Sequence, residues 1–230
     1  MDIENTKIGD LVLVKNNQFI ALHKPAGIPV QPDKSEEISL FQLAEIYCKH
    51  PLQLVHRLDR PTSGVVVFAK NKRAAAHLSE QFREGRVAKT YWAVVKDLPN
   101  GQPEGTLTHY LVHNAHTGKS ELGTAEMPQA QAADLKYRLL ASSDTYHLLE
   151  IRPSTGRFHQ IRAQLAAAGA PIKGDVKYGA RRGNKDRSIH LHAHTIELAH
   201  PVSGVRVAIE AHAPNDEDAL WRALFELINK

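Results

Sequence analysis

The densest polar string in the sequence is His56-Arg57-Leu58-Asp59-Arg60-Pro61-Thr62-Ser63-Gly64, set directly before an apolar run. A carboxylate flanked by Arg57 and Arg60 stays ionised at neutral pH, which suits a nucleophile or a base. Pro61 and Gly64 fix a rigid turn that would hold Asp59 in one orientation. An Asx-type turn with merely solvated arginines fits the same string. A second group is Thr155-Gly156-Arg157-Phe158-His159-Gln160-Ile161-Arg162. On a helix, His159 and Arg162 share a face, and Ile161 and Leu165 lie one turn apart on the buried side. Arg157 then falls at the helix start, where backbone N–H groups welcome phosphate. A packed helix with a polar exposed face is the plainer alternative. Third comes Lys89-Thr90-Tyr91-Trp92-Ala93 on a strand, whose alternation points Tyr91 and Trp92 to opposite faces. One ring belongs to the core; the other could stack on a nucleobase, worth about 1–3 kcal/mol per base, although core packing of both is commoner. Finally, His190, His192 and His194 alternate along a strand, and three histidines on one face could hold zinc. No His-Glu-x-x-His pattern or acidic cluster supports that metal site.

Elements must position these groups. Leu11–Val14 and Phe19–Leu22 flank Lys15-Asn16-Asn17-Gln18 as a hairpin. Lys24–Pro29 stops regular structure. Ser39–Lys49 has a helical spacing of Leu40, Leu43, Ala44 and Tyr47. Gly64–Lys70 reads as a buried central strand, and Asn71–Phe82 as a helix capped by Asn71 and stopped near Gly85. Lys89–Val95 and Thr106–Val112 read as strands, residues 113–130 as an exposed excursion, and Leu135–Leu140 with Tyr146–Ile151 as a strand pair. A helix is predicted from about Phe158 to Ala168, ended by Gly169. Ile189–Leu198 and Val205–Ala211 are further strands. Residues 215–230 form a C-terminal helix with Asp216, Glu217 and Asp218 in its first turn, where the helix dipole favours acids. Consecutive strands with few helices between them predict an α+β fold, a largely antiparallel sheet flanked by helices. It is read as one domain over 1–230, with 1–9 a lead-in.

The 230 residues, 42% hydrophobic and 23% charged, exclude a disordered or low-complexity protein. A single cysteine, Cys48, excludes a disulfide framework and a cysteine-based zinc finger, and is expected to be a small buried hydrophobe. The polar start at Met1–Lys7 has no apolar core for a signal peptide, and no apolar run approaches the ~18 residues of a membrane span. A soluble, cytoplasmic protein is expected. The net charge of +4 is unevenly spread. Residues 152–187 carry nine Lys/Arg, including Arg157, Arg162, Lys177, Arg181 and Arg182, against Asp175 and Asp186. Residues 56–96 carry nine more against Asp59, Glu80 and Glu84. Brought together they would make one face that attracts a polyanion by displacing its counterions; held apart, two solvated basic surfaces.

The string His56–Gly64 strongly resembles the catalytic motif of the RluA-type family of RNA pseudouridine synthases. Lys24-Pro25-Ala26-Gly27 resembles the family's early Lys-Pro-x-Gly motif, though His23 stands where many members have Asn. Lys89-Thr90-Tyr91 resembles its tyrosine strand, Thr155–Arg162 its arginine helix, and Pro171–Gly179 the loop that follows. The resemblance spans roughly residues 10 to 213 and leaves no room for the separate S4-type domain of some members. It implies a mixed, mostly antiparallel sheet with a central active-site cleft, and uridine-to-pseudouridine isomerisation in ribosomal or transfer RNA without cofactor or metal. Carried over by residue, Asp59 is the catalytic aspartate, Tyr91 the ring stacked on the target base, Arg162 the partner of Asp59, and Arg57 a group that holds the nucleotide out of its helix. Arg60, Arg157, Lys177, Arg181 and Arg182 complete the expected RNA contacts.

Two other readings compete. A non-catalytic RNA-binding protein or chaperone of the same fold is expected to lose at least one of Asp59, Tyr91 and Arg162, and all three are present. A metal-dependent hydrolase would use His190, His192 and His194. No obligate protein partner is evident, and a monomer is expected.

Overall fold

The computed structural model describes residues 7–35, 37–213 and 218–228. In chain order its strands and α-helices are β1 (Val12–Lys15), β2 (Phe19–Lys24), α1 (Leu40–Cys48), β3 (Gln53–Leu54), β4 (Ser63–Ala69), α2 (Lys72–Arg83), β5 (Ala88–Val95), β6 (Glu104–Asn114), β7 (Lys119–Gly123), β8 (Gln131–Ser142), β9 (His147–Pro153), α3 (Gln160–Ala167), β10 (Leu191–Ala199), β11 (Arg206–Glu210) and α4 (Ala219–Ile228). The expected α+β class with a mostly antiparallel sheet and flanking helices is what the chain adopts. Two compact units divide it: one runs to Lys89 and takes Ala193–His212, the other holds Thr90–His192 and the residues from Ala213.

In the first unit the strand order is β1, β2, β4, β10, with β3 also on β4 and β11 on β10. All seven residues of β4 are buried, which suits its run of β-branched Val65, Val66 and Val67. Antiparallel pairing runs from Phe19 opposite Ala69 to Lys24 opposite Gly64. That register sets the start of the Lys-Pro segment beside the end of the polar string. Ala74 and Leu78 of α2 pack with Phe19, Val65, Val67 and Ile196. The helix starts where it does because Asn71 Oδ1 accepts from Ala74 N–H at 2.8 Å. Ser39 and Gln42 make a reciprocal capping box on α1.

The second unit orders its strands β5, β9, β8, β6, β7, each neighbour antiparallel. One face of the sheet, through Leu107, Leu135 and Ile151, packs on Ile161 and Leu165 of α3. Val94 and Leu148 pack on Trp221 and Leu224 of α4. Asp218 caps α4 by accepting from Leu220 N–H at 2.8 Å; Asp216 and Glu217 lie outside the described residues.

Two expectations need correction. The segment 113–130 is not only an exposed excursion: it contains β7, which pairs with β6 from Tyr110 opposite Gly123 to Asn114 opposite Lys119 and buries Ser120. Its polar composition hid a strand because an edge strand has little apolar surface to bury. The helix expected from Phe158 begins only at Gln160, and His159 precedes it in the left-handed region at φ +50°. The Gln160 side chain holds the approach off the helix axis: its Oε1 accepts from Thr155 Oγ1–H at 2.7 Å and Arg157 N–H at 3.0 Å. Six of the eight α3 residues are buried, so the helix has no broad polar face.

Candidate active site

In the first unit, the turn carrying Asp59 is tied at several points. Thr62 N–H donates to the Asp59 carbonyl at 3.0 Å, and Gly27 N–H to the Arg60 carbonyl at 2.8 Å. Lys24 is fully buried, and its ammonium donates to the carbonyls of Pro25, Ile28 and Arg60 at 2.9, 2.9 and 3.0 Å. Three acceptors match the three ammonium hydrogens, so one side chain binds the Lys24–Ile28 loop to the Asp59 turn. Burial pulls Lys24 down to about 7, and the Asp59 carboxylate opposes that shift. Lys24 is therefore electrostatically coupled to Asp59, a role that the sequence suggests for the flanking arginines.

Those arginines part company. Arg57 is exposed. Arg60, expected to contact substrate, spends its guanidinium within the unit: Nε donates to the Gly27 carbonyl at 2.7 Å, while Nη1 faces Asp33 at 3.7 Å and Nη2 pairs with Glu37. It locks the turn. His56 is structural too: its Nε2 accepts from Val67 N–H at 2.9 Å and its ring stacks on Phe82 at 4.4 Å. Burial holds His56 down at about 3, so it is neutral at ordinary pH.

In the second unit, strand alternation separates the two rings as expected. Trp92 packs at 4.7 Å on Phe225 of α4. Tyr91 is half-buried on the opposite face, against the α3 side of the core. Arg162 is buried on α3 and makes a two-pronged ion pair with buried Asp175, Nε to Oδ2 at 2.7 Å and Nη2 to Oδ1 at 2.8 Å. Its guanidinium also lies 5.0 Å from the centre of the Tyr178 ring. His159 Nδ1 stands 2.9 Å from the Tyr178 hydroxyl. Burial first, then Arg162 and Lys177, lower His159 to about 3. A non-glycine residue at positive φ costs about 1–2 kcal/mol, which surrounding contacts must offset. Asp175, Tyr178 and Ser120 escaped the sequence reading as site residues. The only available signal was that Asp175 and Tyr178 fall in the Pro171–Gly179 stretch.

Of the remaining basic residues, Arg157 is exposed, with Nε donating to the Ala132 carbonyl at 3.0 Å. Lys177 is half-buried, and Arg181 and Arg182 are exposed on the loop that follows. The three alternating histidines go separate ways. His190 Nε2 meets Asp218 at 3.0 Å with its ring over Trp221, and His192 is buried near the same indole. His194 Nδ1 meets the Ala211 carbonyl at 3.0 Å. Among the described residues no group of three or more His, Cys, Asp or Glu is arranged to hold a metal ion. None of their helices is long and apolar enough to cross a membrane.

Comparison with known proteins gives a consistent picture. A family model described as RNA pseudouridylate synthase matches residues 18–167. An uncharacterised RNA pseudouridine synthase of Zymomonas mobilis is 34% identical, over 82% of this chain and 87% of the relative. The tRNA pseudouridine synthase C of Haemophilus ducreyi is 31% identical over 93% of each chain. Among solved structures, human RNA pseudouridylate synthase domain containing 4 superposes with a TM-score of 0.76 at 26% identity, covering 96% of this chain and 94% of that one.

Proposed function

The chain belongs to the RNA pseudouridylate synthase family, and from that membership we propose which residues carry the isomerisation and on which RNA. The enzyme is an isomerase acting on RNA. Its reaction breaks the bond between uracil N1 and the ribose, turns the uracil, and joins C5 to the same sugar carbon; the C5 hydrogen is lost and N1 gains a proton.

Asp59 is the catalytic carboxylate in this reading. The observation that carries it is the bracing of its turn by Lys24, Gly27 and Thr62. The braced backbone fixes where residue 59 leaves the turn, and the buried Lys24 amine is electrostatically coupled to its carboxylate. The carboxylate serves as a nucleophile on the sugar or base, or as a base on the ribose. Tyr91 supplies the flat platform that retains the detached uracil while it turns. Arg162, rigid through Asp175, supplies the guanidinium of the site. Arg57 stabilises the flipped nucleotide, an extrusion that costs a few kcal/mol for a paired base. Arg157, Lys177, Arg181 and Arg182 hold the phosphate backbone.

Transfer RNA is the favoured substrate, because the relative named for it aligns along nearly its whole length. We place the enzyme in the cytoplasm as a monomer. The test is pseudouridine mapping of transfer and ribosomal RNA from cells with the gene, without it, and with Asp59→Asn in its place. One or more transfer-RNA pseudouridines should vanish without the gene and return only with the parent chain. Sites lost from ribosomal RNA alone would replace the substrate, and full activity of D59N would remove Asp59 from its role.

A further inference from the structure

Strand β7 lies in a segment for which the sequence offers no role, yet its Ser120 reaches the residues around the arginine helix. Ser120 N–H donates to the Tyr178 phenol oxygen at 2.7 Å, and the Ser120 hydroxyl donates to the Phe158 carbonyl. His159 Nδ1 lies 2.9 Å from the same phenol oxygen, so a Tyr178 O–H that donates there while its oxygen accepts from Ser120 joins the two side chains. An imidazole that accepts at Nδ1 carries its proton on Nε2. The Tyr178 ring lies against the Arg162 guanidinium, which Asp175 grips along its edge. The Asp175 carboxylate and the Tyr178 ring thus both adjoin the guanidinium, the ring at 5.0 Å from its central carbon.

We infer that β7, through Ser120 and Tyr178, positions Arg162 and fixes the His159 tautomer with its proton on Nε2, which makes Tyr178 a positioning residue for the isomerisation. The inference rests on the role proposed above for Arg162. The surroundings agree with an uncharged ring. Arg162, Lys177 and His113 disfavour a charge on His159, burial disfavours it more, and Asp175 is the opposing group. Phe158 stacks on His159 at 3.8 Å, and His113 of β6 packs edge-on to Phe158 at 4.6 Å. Lys119, beside Ser120 on β7, stands 6.0 Å from the Tyr178 ring centre. An imidazolium here would face Arg162 and Lys177.

The test begins with the full chain without RNA. Long-range nitrogen–proton NMR spectra, with His159 assigned by its absence in His159→Asn, should show a neutral ring protonated on Nε2 from pH 6 to 8. Tyr178→Phe keeps the ring beside Arg162 but deletes the hydroxyl, so His159 should lose its single tautomer while staying uncharged. A parent ring protonated on Nδ1, or charged at pH 7, overturns the inference. Kinetics on an RNA that the parent chain modifies then follow. Tyr178→Phe should lower kcat about tenfold, as losses of orienting partners do, with KM within about twofold. A parent-like kcat in that variant also overturns it. If Tyr178→Phe fails to fold, His159→Gln against His159→Asn decides. Asn tolerates positive φ and offers an acceptor near the Nδ1 position, so its kcat should exceed that of Gln; equal values overturn the inference. A parent chain that modifies no RNA defeats the proposed function instead, and the NMR arm still decides the tautomer.

Discussion

Gly64 and Ala193 approach so closely that a Cβ on residue 64 would lie 2.2 Å from the Ala193 carbonyl oxygen. Gly64 also sits at φ +120°, where side chains are strained whatever the space. The residue that ends the polar string is therefore fixed both by its own backbone and by β10. Gly64→Ala should destabilise the protein by more than about 3 kcal/mol, strain and overpacking together. Urea denaturation measures this, and an unchanged midpoint would rule out the close approach.

Asp175→Asn should take from the buried Arg162 guanidinium the carboxylate that grips its Nε and Nη2. Removing one member of a buried pair costs about 3–5 kcal/mol because the other charge stays in place. Stability is expected to fall by an amount of that order, with turnover falling as well. A loss below about 1 kcal/mol would mean that Arg162 takes up another carboxylate.

Acid should destabilise the fold through His56. Its folded value is about 3 against 6.5 as the ordinary value, so the unfolded chain takes the proton first. The stability it contributes is fully present above about 6.5 and is lost as pH falls toward 3. Protonation also removes the acceptor that Val67 N–H uses. Thermal melting from pH 7 to pH 4 should show a shallower decline in His56→Gln than in the parent, and identical slopes would assign the acid sensitivity elsewhere.

Changing Arg181 and Arg182 together to Ala should weaken RNA binding and flatten its dependence on salt. Each lost phosphate contact lowers the slope of log affinity against log salt by about 0.7 to 0.9. Turnover at saturating RNA should change less. A salt slope identical to that of the parent would show that this exposed loop does not touch the backbone.

Much of this molecule was legible residue by residue. The Asn71 cap, the apolar run after Gly64 and the alternation of Tyr91 and Trp92 are local signals, and each element forms close to where they put it. The polar string was equally visible, but the partners of its charged groups were not. Arg60 neighbours Asp59 in sequence, but only the fold shows that its guanidinium meets residues 27, 33 and 37. His159 looked helical because nothing local announces that Gln160 will cap the loop before it.

By itself the sequence determined the strand and helix types, the family, and the residues able to do chemistry, because side-chain periodicity, capping and motif spacing act within a few residues. Only the tertiary structure decided which charges neutralise which. Lys24 finds the Arg60 carbonyl across 36 residues, and Ser120 finds Tyr178 across 58. Those choices follow from strand register and from α3 packing on its sheet. A buried charge or hydroxyl must satisfy its hydrogen bonds with whatever the fold brings within about 3 Å, wherever that group lies along the chain.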